Sequence, residues 1–307
     1  MLKLDMTDER RLPAAMRALR SLPPRAALGA ETRRLWRAEI ASSIQLAGAG
    51  LNADEVDALL DRGLARGDHP FADYVLVRAY AEANRWVALQ PRREPGALAP
   101  LVTVEEIRRL NALARASPGG GAWRTANPEP RAGIVAPAAW FVPREVEAFA
   151  DRAGRGPGEG PLSLWLARLL ARLARIAPFA EANGRTARLV ANLILRRLDL
   201  PPLAFEARER ARYPAALARA EANQPAALGA LISATLLREI DRLRAAAEDG
   251  DDLAPLRLLA GDGYPALAKA AQRGRLRTVR RGGRYYTRPA WIAEYANAAR
   301  IRQMARP

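Results

Sequence analysis

The stretch "LSLWLARLLARLARI", Leu162 to Ile176, restricts the fold more than any other. Read as a helix it is hydrophobic nearly all round, and such a helix is stable only where other elements cover it. The rest of the chain supplies the cover. "ETRRLWRAEIASSIQLAG" places Leu35, Ile40 and Ile44 at helical spacing. "NADEVDALLDRGLARG" opens on an Asn cap, carries Glu55 three residues on and stops at glycine. "FADYVLVRAYAEANRWVALQ" reads as a long amphipathic helix, and "TVEEIRRLNALARAS" as a capped helix ended by "PGGG". "REVEAFADRAGRG" adds one more helix, and the run from Arg212 to Asp252 adds two. Only "AWRTANPEPRAGIVAPAAWFVP" breaks the pattern. Its prolines and its short β-type run, Gly133 to Val135, predict an irregular hairpin or flap.

The expected architecture is therefore mainly α: a helical bundle with a small β-hairpin flap, followed by a small C-terminal domain. With 307 residues, half of them hydrophobic, one large unit and one small one can each bury a core. The expected divisions are N-terminal helices over 1–95, a core with flap and loop over 96–248, and a basic domain over 253–307. "PRREPGALAP" is read as a linker, and the acidic "EDGDD" marks the last boundary.

Composition removes several function classes. Cysteine is absent, which excludes disulfides and thiolate metal sites and suits a reducing cytoplasm. No apolar run reaches a membrane span, and the N-terminus is too charged for a signal peptide, so a cytoplasmic protein with no membrane partner is expected. A single histidine, His69, leaves no room for a His-based metal cluster or a Ser-His-Asp triad. The formal net charge is +16, and it is uneven. Leu253 to Pro307 holds 12 Lys/Arg against Asp262 and Glu294, a net of +10, which points to an anionic partner there.

The candidate chemistry lies in "APFAEANGRTAR". The all-round helix ends near Pro178 and another begins near Gly184, with small residues between them. Free N–H groups at a helix start, with the positive end of its dipole, attract phosphate. Arg185 and Arg188 share one face of the first turn and would complete a polyphosphate cradle. Glu181 offers a hard oxygen suited to Mg²⁺, and Phe179 is placed to plug the loop into the core. By spacing alone, an ordinary helix–loop–helix with surface arginines fits equally well.

This stretch resembles the Fic motif, usually written H-P-F-x-[D/E]-G-N-G-R-x-x-R. Pro178, Phe179, Glu181, Asn183, Gly184, Arg185 and Arg188 match, Ala182 replaces the first glycine and Ala177 replaces the histidine. The likeness runs roughly from Glu31 to Leu243. It includes a counterpart of the family's inhibitory helix in "EIASSIQLAGAGLNADEV" and of its target-docking flap in "AWRT…GIV". The resemblance implies a Fic-type helical bundle and transfer of AMP from ATP to a Ser, Thr or Tyr hydroxyl of a protein substrate. In that scheme Glu181 holds Mg²⁺, and Asn183 and the Gly184 amide bind phosphate oxygens. Arg185 and Arg188 neutralise the β/γ end, and the flap near Arg124 to Ala136 docks the target.

Ala177 removes the motif's general base, so as written the chain is expected to be inactive or nearly so. His69, in "HPFAD", imitates the head of the motif but lies more than a hundred residues upstream and lacks the glycine loop. Deliberate replacement and natural loss both remain open as the origin of Ala177. The inhibitory-helix pattern is also incomplete: "SSIQLAG" offers Ser42, Ser43 and Gln45 but no glutamate, and Gln45 can hydrogen-bond Arg188 but not neutralise it, so autoinhibition should be weak or absent; a packed helix with no regulatory role fits equally well.

The tail, "YPALAKAAQRGRLRTVRRGGRYYTRPAWIAEYANAARIRQ", resembles the small helix-turn-helix with a wing of excisionase-like and MerR-like domains. That resemblance implies double-stranded DNA as a partner, while by charge alone a basic accessory domain that packs on the main body or binds a target protein fits nearly as well. Arg273, Arg275, Arg277, Arg280, Arg281 and Arg284 would track the DNA phosphates. Tyr285, Tyr286, Trp291 and Tyr295 read as core. The alternative to an enzyme without its base is a DNA-binding regulator whose bundle only holds a nucleotide.

Overall fold

The computed structural model describes residues 6–22, 26–93, 99–130, 134–248, 253–281 and 283–304. Residues 94–98 of the expected linker, 131–133 of the flap and 249–252 of the acidic boundary lie outside the described residues. The chain forms two compact units, Met1–Leu22 with Glu31–Leu243, and Pro23–Ala30 with Arg244–Pro307.

The helices are α1 (Met6–Arg20), α2 (Ala26–Leu46), α3 (Ala53–Arg62), α4 (Phe71–Ala88), α5 (Val104–Ala114), α6 (Val142–Gly154), α7 (Leu162–Ile176), α8 (Asn183–Arg197), α9 (Ala207–Glu221) and α10 (Ala226–Glu248). Local signals set several ends. Asn52 and Glu55 close a reciprocal capping box on α3, and Thr103 and Glu106 do the same on α5. α3 stops at Gly63, whose left-handed backbone (φ 68°) suits glycine.

α7 and α8 form the centre of the first unit. α7 packs against α6, α8 and α9, while α8 also meets α4 and α5. Leu166, Leu170, Leu173 and Ile176 on α7, and Leu189, Leu193, Ile194 and Leu195 on α8, are essentially without exposure. Each such side chain contributes about 1.5–3 kcal/mol by leaving water. The same core takes in Leu12 of α1 and Trp36, Ile40 and Ile44 of α2, so the N-terminal helices do not stand apart from 96–248. One expectation needs correcting: α7 is not covered all round, because Arg168 and Arg175 are exposed on it.

The last turn of α8 is fixed by Arg197, which is wholly buried. It donates to the Leu101 carbonyl (2.7 Å) and to both oxygens of Glu106. Burial works to raise the Glu106 pKa, but the Arg197 hydrogen bond and charge, the Thr103 N–H and Arg93 outweigh it, and the carboxyl lies below its usual range. The carboxylate that caps α5 thus also neutralises α8.

Among its described residues the flap is irregular, with a β-bridge between Trp123 and Phe179. Ladder pairing occurs in the second unit. There β1 (Ala254–Pro255), α11 (Leu256–Ala260), a 3₁₀ turn (Gly261–Gly263), α12 (Tyr264–Gln272), β2 (Val279–Arg281), β3 (Arg284–Thr287) and α13 (Pro289–Met304) follow in order. The sheet runs β1–β3–β2, all antiparallel, with Ala254 opposite Thr287 and Val279 opposite Tyr286. Its small core is Leu256, Ala270, Ala271 and Leu276, with Tyr285, Ile292 and Tyr295 packed on it.

Candidate functional site

Two alanines shape the loop between α7 and α8. Ala177 turns left-handed (φ 44°) and its N–H closes on the Leu173 carbonyl, which ends α7. Ala182 turns left-handed again (φ 63°) and opens α8. A residue with a Cβ in this region costs of order 1–2 kcal/mol, and strain of this kind gathers at functional sites. The glycine of the resembled motif falls at position 182, where the backbone needs it.

Between the alanines the loop is braced internally. Asn183 Oδ1 accepts from the Phe179 N–H (2.9 Å), and its Nδ2 donates to the Phe179 carbonyl (2.7 Å). Asn183 therefore holds the loop's shape with both ends of its amide. Phe179 is buried, as a plug should be, and stacks on Trp123 with ring centroids 5.2 Å apart. Arg124, also buried, donates from Nε to the Ala177 carbonyl (2.8 Å), from Nη1 to Ala126 (3.0 Å) and from Nη2 to Pro137. One guanidinium ties both ends of the flap to the residue at position 177.

No side chain caps α8. The first N–H groups of the helix, at Asn183, Gly184 and Arg185, therefore lack intrahelical acceptors. The two motif arginines flank them. Arg185 donates to the Ala114 carbonyl (3.0 Å). Arg188 is buried, and a Cβ added to Gly184 would lie 3.5 Å from its Nη1. Its Nε and Nη2 are held by the Oγ and carbonyl of Ser43, both at 2.8 Å. The Arg185 pKa is lowered by burial and by the charge of Arg188. Two neighbouring cations thus stand beside the uncapped start of α8, a combination of charge and helix dipole that favours an anion.

Glu181 lies beside this cradle with its side chain 56% exposed. Arg115 donates to both of its oxygens (3.3 and 3.2 Å) and Ser117 to one (3.3 Å), while its carbonyl accepts from Asn111 (3.0 Å). No cluster of three His, Cys, Asp or Glu occurs among the described residues. Mg²⁺ commonly takes one protein carboxylate together with phosphate and water oxygens, and the exposed Glu181 fits that use once Arg115 shares it.

The α2 side differs from expectation. Gln45 Nε2 donates to the Leu51 carbonyl (2.7 Å), and Ser43 is the residue that meets Arg188. Ser42 is buried beside it. Behind Ser43 stands a carboxylate the sequence reading overlooked. Glu39, with no exposure, accepts from Ser43 Oγ (2.8 Å), Tyr80 Oη (2.7 Å) and Asn84. Burial raises its pKa against those hydrogen bonds and the pull of Arg188. Glu39 was findable, since it lies one turn before Ser43 on the core-facing side that holds Leu35 and Ile40. Arg115 and Asn111 carried no signal, because they reach the loop only through packing of α5 on α8. His69 is placed elsewhere, bonded to Glu55 (3.1 Å) and edge-on to Tyr74.

In the second unit Arg273, Arg275, Arg277, Arg280 and Arg284 are exposed. Arg281 pairs with Arg284 in the β2–β3 register. The Arg277 and Arg288 guanidiniums lie 4.5 and 4.3 Å from the Trp291 ring centroid, and Arg280 stands 5.7 Å from that of Tyr285.

Residues 101–195 match the Fic/DOC family. Solved structures share the fold. A Fic domain containing signaling protein from Bacteroides thetaiotaomicron aligns with TM-score 0.66 and 19% identity over 80% of this chain and 98% of its own. Fic-1 from C. elegans aligns with TM-score 0.67 and 20% identity over 79% and 72%. A Fic family protein from Desulfovibrio desulfuricans aligns with TM-score 0.56 and 18% identity over 92% and 95%.

Proposed function

We propose that the first unit is a Fic-type AMP transferase whose general base is missing at Ala177, so that this chain holds ATP with Mg²⁺ but transfers AMP slowly or not at all. The observation that carries this is the uncapped start of α8, with Arg185 and Arg188 beside its free amides. The amides and Arg188 would hold the phosphates, and Glu181 would bring the metal oxygen by which Mg²⁺ offsets phosphate charge. With histidine at 177, the imidazole would take the proton of a target hydroxyl. The oxygen would attack the α-phosphorus, the bond to the β-phosphate oxygen would break, and pyrophosphate would leave. A base of this kind contributes about 10²–10⁴ in rate. Histidine also suits the left-handed backbone there, since it enters that region more readily than most residues.

The test is transfer of label from α-labelled ATP to protein in a host lysate, with this chain and with Ala177→His. Label that appears only with the histidine variant supports the reading. No label with either overturns the enzyme and leaves a nucleotide holder. Calorimetry decides that part, because ATP should bind this chain and bind Arg188→Ala much more weakly.

A second reading rests on the exposed arginines around the β2–β3 hairpin. The second unit would bind double-stranded DNA, with the first unit as a regulatory nucleotide holder. Binding through phosphates must weaken with salt at a log–log slope of about −0.9 per contact. Arg280→Ala with Arg281→Ala should flatten that slope by about 2 units if both touch phosphate. Failure of the full chain to shift duplex DNA at low salt removes this reading and leaves the first untouched.

A further inference from the structure

We infer that the first unit has a second anion site, on the outer face of α7, that takes the polyphosphate group of a small molecule. A cavity of about 380 Å³ is walled by Arg152 of α6, by Arg168, Arg172 and Arg175 of α7, and by Glu221 and Asn223 at the end of α9. A smaller cavity of about 230 Å³ shares Arg152, Arg168 and Arg172 and is walled on its other side by Phe149 and Trp165. Together they fall within the range of small-molecule sites, about 300–1,000 Å³. No residue of 177–188 lines either one.

The charges argue for a ligand. Arg168, Arg172 and Arg175 stand four and three residues apart, so they share one helix face, an arrangement that destabilises a helix by repulsion. Arg172 is paired with Glu145. Arg152, Arg168 and Arg175 line the larger cavity together with a single carboxylate, Glu221. Here they converge from two helices on a concave wall, where planar forks suit the clustered oxygens of phosphate. The adjoining lobe is lined by Phe149, Trp165 and Leu169, apolar surface suited to an aromatic ring. The shared chemistry is a chain of phosphates, and a nucleotide would fill both lobes where inorganic polyphosphate would fill one.

The test is calorimetric titration of the full chain with ADP and, separately, with sodium tripolyphosphate. The variants are Arg168→Ala/Arg175→Ala, Trp165→Ala and, as the loop control, Arg185→Ala. Arg168 and Arg175 are exposed, so circular dichroism should show their variant folded. A binding event that weakens about tenfold or more in Arg168→Ala/Arg175→Ala and persists in Arg185→Ala supports the site. Tighter ADP than tripolyphosphate, with the difference lost in Trp165→Ala, assigns a nucleotide. Equal affinity assigns inorganic polyphosphate. Binding indifferent to Arg168 and Arg175, or displaced more readily by an acidic peptide than by either phosphate, overturns the proposal. Loss of the loop's ATP binding would leave this result unaffected.

Discussion

The arginines of the loop and those of the second unit are arranged on opposite principles. At the loop, Arg188 is buried and spends Nε and Nη2 on Ser43, while Arg185 is tied to Ala114. Their positions are set by α2 and α5 before any ligand arrives. On the second unit, Arg273, Arg275, Arg280 and Arg284 reach into solvent, with Arg280 resting near Tyr285. A preorganised cradle suits a small ligand of fixed shape, because little side-chain entropy is left to lose. A solvated cationic surface suits a long polyanion, where charge density counts for more than geometry. Residue type alone does not separate the two cases.

The largest contrast should appear in stability. Arg188→Ala removes hydrogen bonds from a charged, buried group and leaves Glu39 without its nearest cation, so urea unfolding of the first unit should lose about 2–3 kcal/mol. A loss below half of that would mean Arg188 is no part of the frame. Ala182→Gly tests the frame from the other direction. Relief of a left-handed alanine should raise stability by about 1 kcal/mol, and no gain would show that the loop's backbone is not strained.

The pH dependence of stability sharpens the role of Glu39. Burial raises its pKa in the folded state, so the native protein binds its proton more tightly than the unfolded chain does. Its contribution is therefore fully present below the ordinary glutamate value and is lost as pH rises through the folded one. Glu39→Gln should flatten the fall in stability that the parent shows from acid towards neutral pH. Parallel profiles for the two proteins would place the titration elsewhere. The smallest effect belongs to the tail: Arg280→Ala should change stability by no more than about 0.5 kcal/mol, and a larger change would show that its place on Tyr285 is structural.

Much of the bundle is written locally. The capping boxes at Asn52 and Thr103, the apolar faces of α5 and α8, and the breaks at the loop are all short-range patterns that helix geometry imposes on sequence. The same holds for the loop's own parts, since Pro178 to Arg188 form one contiguous motif. The flap illustrates the opposite case. Its prolines and short β-type run predicted an irregular hairpin or flap, but nothing local showed that Arg124 holds the backbone carbonyls of Ala126 and Pro137 or that Trp123 bridges to Phe179. The flap's partners are on the loop, far away in sequence.

The sequence by itself determined most of the helices of the first unit, where the loop lies and that alanine stands at position 177, because each is a property of neighbouring residues. Tertiary structure alone decided what the charged side chains do. Ser43 rather than Gln45 meets Arg188 because α2 presents that face to α8. Glu39 stands behind Ser43 because Tyr80 and Asn84 of α4 close over it. Arg115 covers Glu181 because α5 packs along the loop. A long side chain reaches several ångströms in any of several rotamers, and only the surrounding elements select the partner it finds.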